Sequence, residues 1–227
     1  VSETGKIEMN SIRGSVNIFC KVPGDPVVSL TTVMPHKFDE ICYHRCVDAK
    51  LHLSRRIQFI PSDGSFCLMK YIAPPNYKQV PLFVSPKFSW SNVSVVFEIS
   101  LRVNQALPQN LTNIVVSFVL PDSVFEPSLA SPRGTTRYIE ETRTVEWTID
   151  SSSKGSLPLI LNGSASVNDI QEARSKSVYV KAKFSVVGYT ASGLQIDNFD
   201  IESNCKNITK GIKYTTKGGV YHFAVSK

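Results

Sequence analysis

Apolar and polar side chains alternate along much of this chain. Val93, Val95, Phe97, Ile99, Leu101 and Val103 interleave with Ser94, Val96, Glu98, Ser100 and Arg102. Val178, Val180, Ala182, Phe184 and Val186 alternate with Tyr179, Lys181, Lys183 and Ser185, and Val145, Trp147 and Ile149 repeat the rhythm. A period of two sends one set of side chains to a buried face and the other to water, as in half-buried strands. Turn signals separate the runs: Gly24-Asp-Pro26, Ser62-Asp-Gly64, Ala73-Pro-Pro-Asn76, Ser131-Pro-Arg-Gly134 and Ser151-Ser-Ser-Lys-Gly155. Strands at this spacing, with hardly a helical window, predict an all-β chain of antiparallel sandwiches.

Two breaks divide the pattern. Ala73-Pro-Pro-Asn-Tyr-Lys78 stops a strand and stiffens a linker, because proline lacks the ladder donor. Gly188-Tyr-Thr-Ala-Ser-Gly193 is the second. Beyond it lie a strand carrying Ile196 and Phe199, a polar loop, and a Lys/Tyr/Thr-rich strand over Lys210–Thr216. Gly218-Gly219 then reads as a hairpin turn into a last strand, since both glycines tolerate positive φ.

Composition sets broad limits. The 227 residues are 42% hydrophobic and 19% charged, with a net charge of +6. A chain this long can bury a substantial core. No apolar run approaches the ~20 residues that span a bilayer as a helix. The chain opens on Val1, carries no signal peptide, and reads as a fragment of a longer protein. The bases are spread along the sequence without a nucleic-acid motif, so no nucleic-acid partner is expected. Five cysteines (Cys20, Cys42, Cys46, Cys67, Cys205) are an odd number, which suggests reduced, small buried thiols in a cytosolic protein. The sequons at Asn92, Asn110, Asn162 and Asn207 favour the rival reading, a secreted β-sandwich adhesion module.

Chemistry finds little purchase. Cys42 and Cys46 flank His44, but structural zinc wants four ligands in paired clusters. Strand alternation would place all three on one face as buried residues, and no metal or other cofactor is expected. There is no G-x-S-x-G elbow, phosphate loop or H-E-x-x-H, so the chain reads as a non-enzyme. Binding remains. An exposed strand edge offers unpaired N–H and C=O groups to an extended peptide, and Lys210–Thr216 could be such an edge.

The same C-terminal stretch carries a resemblance. Ser192-Gly-Leu-Gln-Ile196 and Lys210-Gly-Ile-Lys-Tyr-Thr-Thr-Lys-Gly-Gly219 match the pattern S-G-L-x-I/V and K-G-I/V-K-Y-x-T-K/R-x-G of the mu homology domain of clathrin-adaptor medium subunits. Cys42-Tyr-His-Arg-Cys-Val47 and Arg55-Arg-Ile-Gln-Phe-Ile-Pro-Ser-Asp-Gly-Ser-Phe-Cys-Leu-Met-Lys-Tyr71 resemble a second signature of that family. The Lys-Gly-Ile-Lys-Tyr form, with Gly211 where other members carry Trp, looks like the adaptor protein complex three type.

The resemblance implies an elongated, two-lobed antiparallel β-sandwich with one lobe inserted into the other. Lobe A would be residues 1–73 plus 188–227, and lobe B residues 74–187. It further implies capture of Tyr-x-x-Φ sorting signals, from cytosolic tails of membrane cargo, by β-augmentation along Lys210–Thr216. Ile196, Phe199 and Ile212 match the positions that line the Φ pocket, and Lys213 matches the base beside the Tyr hydroxyl. Phe19 stands where the best-studied members carry Lys, and the family's F-x-D first strand should precede Val1. The implied partners are the other subunits of a heterotetrameric adaptor. The implied setting is cytoplasmic and peripheral on Golgi, endosomal and vesicle membranes, in transport toward lysosome or vacuole. A coatomer or stonin kind of mu homology domain, with a different partner, is the nearer rival. Alternating lysines for phosphoinositides are absent from strand 93–103, whose outward face reads Ser94, Val96, Glu98, Ser100 and Arg102.

Overall fold

The computed structural model describes residues 11–47, 55–74, 80–105, 107, 109–152, 159–218 and 221–224. These form antiparallel strands with one short α-helix and one 3-10 turn. The chain divides into two compact units. Unit A combines Asn10–Tyr77 with Thr190–Tyr214, and unit B combines Lys78–Tyr189 with Thr215–Lys227. The division differs from the expected lobes at the C-terminal end, where the chain from Thr215 onward joins unit B.

Unit B holds β6 (Leu82–Trp90), β7 (Ser94–Val103), β8 (Leu111–Val119), β9 (Val124–Ala130), β10 (Thr135–Ile139), β11 (Thr144–Ser152), β12 (Leu159–Val167) and β13 (Tyr179–Val187). One sheet runs β6-β7-β12-β9 and the other β10-β11-β8-β13. Period-two patterning does its work here. Val95, Phe97, Ile99 and Leu101 of β7, Val180, Ala182, Phe184 and Val186 of β13, and Val145, Trp147 and Ile149 of β11 all fall in one buried cluster. Val93 is different: it precedes β7 in a bend and is 72% exposed. Phe97 stacks 5.4 Å from Phe88 and meets Phe118 edge-on at 5.3 Å. Gly163 lies opposite Phe97, where a Cβ would come within 2.2 Å of the ring. The Trp147 indole N–H donates to the Arg133 carbonyl at 2.8 Å, so the largest core side chain buries no unpaired donor.

A helix that the sequence pattern does not predict, α1 (Ile170–Ser175), comes after β12. Asp169 caps it by accepting from the Gln171 and Glu172 amides. Glu172 reaches back to Ser123, accepting from its amide at 3.2 Å and its hydroxyl at 2.5 Å. Lys176 bridges Glu172 and Asp122, and Arg143 also pairs with Asp122.

Unit B ends with a correction. β15 (Thr215–Lys217) and β16 (Tyr221–Ala224) both pair antiparallel with β13, at Ser185–Val187 and Tyr179–Ala182. The two segments therefore run in the same direction and do not pair with each other as the expected hairpin at Gly218-Gly219 would require. Gly219 itself lies outside the described residues. Gly218 is required by crowding: its amide donates to the Phe184 carbonyl, and a Cβ there would meet the Phe184 ring at 2.6 Å.

Unit A holds β1 (Ile12–Cys20), β2 (Val27–Val33), β3 (Glu40–Tyr43), β4 (Arg56–Phe59), β5 (Gly64–Ala73) and β14 (Gln195–Glu202). Its sheets are β1-β5-β3 and β14-β2-β4. The Asp63-Gly64 turn needs its glycine, which sits at φ +83. Tyr71 stacks on Phe38 at 4.6 Å, and its hydroxyl meets Ser192 Oγ at 2.8 Å, tying the Thr190–Leu194 turn to β5. Ile12, Val16 and Ile18 on β1, and Ile196, Phe199 and Ile201 on β14, pack against the core only half-buried.

The cysteine expectation changes as well. β3 ends at Tyr43 and the chain turns, so Cys42, His44 and Cys46 do not share a strand face. Cys20 alone is buried, and Cys42 is exposed. Cys46 Sγ lies 3.0 Å from His44 Nδ1, and burial pushes its thiol up from the ordinary range. A raised thiol is a poorer nucleophile and metal ligand. No described group of three His, Cys, Asp or Glu side chains could hold a metal ion, and no described helix is long and apolar enough to cross a membrane.

Candidate functional site

Ile196 and Phe199 are three residues apart, which in a regular strand puts their side chains on opposite faces. β14 is not regular. Its register with β2 runs Ile196 to Thr32 and then Asn198 to Thr31, a slip of one residue. Such a bulge inserts one unpaired residue and shifts the facing of every later position in the strand. Ile196, Phe199 and Ile201 consequently share one half-buried face, while Asp197, Asn198, Asp200 and Glu202 are exposed.

β14 pairs with β2 on one side only, and among the described residues no strand covers its other edge. Side chains from the 210–214 segment take that place. The Ile196 amide donates to the Tyr214 hydroxyl at 2.9 Å, and the Lys210 ammonium donates to the Phe199 carbonyl at 2.5 Å. Lys210 Nζ also lies 5.7 Å from the Phe199 ring centroid and 3.7 Å from the Asp200 carboxylate. Between these two attachments run Gly211, Ile212 and Lys213, all exposed. Among the described residues their backbone groups make no hydrogen bond, and no ladder includes them. Strand geometry begins only at Thr215, where β13 supplies a partner. The strand expected over Lys210–Thr216 is thus confined to its last two residues, because no described strand pairs with the rest.

The five site residues inferred from the sequence therefore fall into two groups. Ile196 and Phe199 form a half-buried apolar pair on β14. Gly211, Ile212 and Lys213 form an exposed run beside it, held by neighbours at either end. Ile212 is 47% exposed and does not join the apolar cluster. A Cβ on Gly211 would meet nothing within 4 Å, so space is open where bulkier residues could sit. Phe19 is 65% exposed, with the Lys21 ammonium 5.3 Å from its ring centroid, so a cation accompanies the aromatic ring at that position. A shallow hollow of about 350 Å³ in unit A is lined by Cys20, Lys21, Pro23, Asp63 and Gly64, and none of the five residues lines it. The sequence reading includes Tyr214 and Lys210 in the expected edge strand Lys210–Thr216 but gives neither side chain a role in the site. No period marks them, because each acts across β14's edge rather than within a ladder.

Comparison with known proteins gives this geometry a context. The chain is 27% identical over 225 residues to the human AP-3 complex subunit mu-2, covering 97% of this chain and 54% of that protein. It is 24% identical, over the same share of each, to the Bos taurus AP-3 complex subunit mu-1. The chain thus spans about half the length of these relatives. Its fold matches the Danio rerio Fcho1 mu homology domain with bound Eps15 peptide, with TM-score 0.66, 16% identity, and coverage of 88% of this chain and 79% of that one. It also matches the yeast delta-COP-I mu-homology domain complexed with the Dsl1 WxWxV peptide, with TM-score 0.67, 13% identity, and coverage of 95% and 89%. A homology model of the full-length AP-3 complex in an intermediate open conformation aligns at TM-score 0.63 with 19% identity, over 95% of this chain and 62% of that one. The family model of the adaptor complexes medium subunits matches residues 1–225, nearly the whole chain. On that match, this all-β chain belongs to the adaptor complexes medium subunit family.

Proposed function

We propose that this chain is the cargo-recognition domain of an adaptor medium subunit and binds Tyr-x-x-Φ signals in cytosolic tails of membrane proteins. One observation carries the reading: the Gly211–Lys213 backbone is exposed and unpaired directly beside the half-buried face of Ile196 and Phe199. An extended peptide pairs with such a backbone and drops alternate side chains into the surface next to it. Ile196, Phe199 and Ile212 receive the bulky Φ residue, and Lys213 stands by the Tyr hydroxyl. The relatives point to adaptor complex three as the assembly, with the other subunits of a heterotetramer as partners. Its setting would be cytoplasmic, peripheral on Golgi and endosomal membranes, in traffic toward lysosome or vacuole.

Affinity is expected to be weak. A four-residue signal makes few contacts and must be ordered on binding, so a Kd near micromolar, about 8 kcal/mol, is the scale. Calorimetry with a Leu-ended Tyr-x-x-Φ peptide tests the reading, with the Tyr→Ala peptide as control. Equal heats from both peptides would overturn it. A second reading has support in the yeast delta-COP-I likeness, whose structure holds a WxWxV peptide. A peptide array carrying both motifs separates the two by which spots retain the chain.

A further inference from the structure

We infer that Tyr214 and Lys210 are positioning residues: a two-point staple that holds the Gly211–Lys213 run against β14 so that an incoming peptide meets an ordered backbone. The inference rests on the peptide-binding reading above and concerns residues outside its pocket. The geometry is specific. Tyr214 supplies an acceptor to the outward Ile196 amide at 2.9 Å, and Lys210 supplies a donor to the outward Phe199 carbonyl at 2.5 Å. Those backbone groups are the ones a neighbouring strand would ordinarily satisfy. The chain meets them with side chains instead, and this leaves the backbone between the two anchors unpaired.

An unanchored three-residue run would sample many conformations and lose them on binding, which weakens affinity. Anchoring at both ends removes part of that cost beforehand. The two attachments also touch the pocket residues themselves, since they bond Ile196 and Phe199 through their backbones. Lys210 further spans the exposed side of the Phe199 ring and approaches Asp200. Register between the apolar pair and the receptor backbone is thereby fixed through the same two residues.

The test uses Tyr214→Phe, which keeps the ring and removes only the hydroxyl, and Lys210→Met, which keeps the stem and removes the charge. Amide hydrogen exchange reads the staple, and calorimetry with the Leu-ended Tyr-x-x-Φ peptide reads its consequence. Tyr214→Phe is expected to speed exchange at the Ile196 amide roughly two- to tenfold and to weaken the peptide by a similar factor, the scale of one net hydrogen bond. The unfolding midpoint should hardly move, which separates positioning from general destabilisation. Lys210→Met should weaken binding less, because its side chain is about half exposed. Fast Ile196 exchange in the unaltered protein would overturn the staple. Faster exchange in Tyr214→Phe with unchanged peptide affinity would overturn its positioning role. Slow Ile196 exchange in a chain that ignores the peptide would sink the peptide reading while leaving the staple standing.

Discussion

The two units bury their apolar residues in different ways. Among the described residues, the unit B cluster holds 27 buried apolar side chains against six half-buried ones packed on it. The unit A cluster holds ten buried and eleven half-buried. In unit B, β7, β12 and β13 bury every second residue, β8 breaks the alternation between Leu111 and Ile114, and strands of both sheets feed one buried cluster. Unit A places Ile12, Val16 and Ile18 on one edge strand and Ile196, Phe199 and Ile201 on another, where they are only partly covered. Half-buried apolar surface on an unpaired edge adds little to stability and is available to a ligand. On the proposed peptide-binding reading, unit B would serve as scaffold and unit A as receptor.

The sharpest way to break this comparison is to empty unit B's core. Phe97→Ala removes a fully buried ring from a stacked aromatic cluster and should cost about 3–5 kcal/mol by urea unfolding. A loss under about 1 kcal/mol would show that the unit does not depend on this packing. Phe199→Ser probes the opposite case. It should abolish measurable binding of the Leu-ended peptide, because burying a Φ side chain is worth roughly 1.5–3 kcal/mol, while costing far less stability than Phe97→Ala. A substitution that unfolds unit A but spares binding by the surviving folded fraction would contradict the assignment.

Two glycines give a finer contrast. Gly163→Ala drives a methyl to within 2.2 Å of the Phe97 ring and should destabilise by about 1–3 kcal/mol. Gly211→Ala meets open space and should stay within about 0.5 kcal/mol in thermal or chemical unfolding. The smallest effect is electrostatic and lies in unit B. Hydrogen bonding from Lys176, then from Ser123, holds the Glu172 carboxyl below its ordinary range, and Lys176 with help from Arg143 does the same for Asp122. Carboxylates depressed in the folded state stabilise it above their unfolded values near pH 4 and lose that contribution as pH falls through the folded ones. Lys176 is raised by Asp122 and then Glu172, so its contribution is full below about pH 10 and fades as pH rises through its folded value. Asp122→Asn should therefore flatten the acid limb of a melting-temperature profile below about pH 5, and an unchanged limb would show the network to be inert.

The strands of unit B are legible in the sequence because β7, β11 and β13 each bury every second residue, a pattern that needs no knowledge of their neighbours. Helix α1 is legible in principle: Asp169 with Glu172 three residues on is a cap-and-first-turn signal, but six residues are too short to show a period. The bulge in β14 is not, since one inserted residue leaves no mark in composition yet decides that Ile196 and Phe199 share a face. Gly218 misleads because a glycine that avoids a ring and a glycine that makes a turn look the same in a sequence. The family motifs draw attention to the stretch 192–214, but its conformation depends on whether a strand lies alongside it, which is a tertiary fact.

The pairing of β14 with β2 joins Val33 to Gln195, about 160 residues apart along the chain. At synthesis rates of roughly 5–20 residues per second, β2 waits about ten to thirty seconds for its partner. Throughout that interval it is an open edge with Val28 and Leu30 uncovered, the kind of surface that chaperones hold and that aggregation exploits. The strands from Leu82 to Val187 emerge in between and can assemble without it. A chain interrupted before residue 195 therefore lacks β14 beside β2 in unit A and both β15 and β16 beside β13 in unit B, so interrupted translation leaves an open edge in each unit.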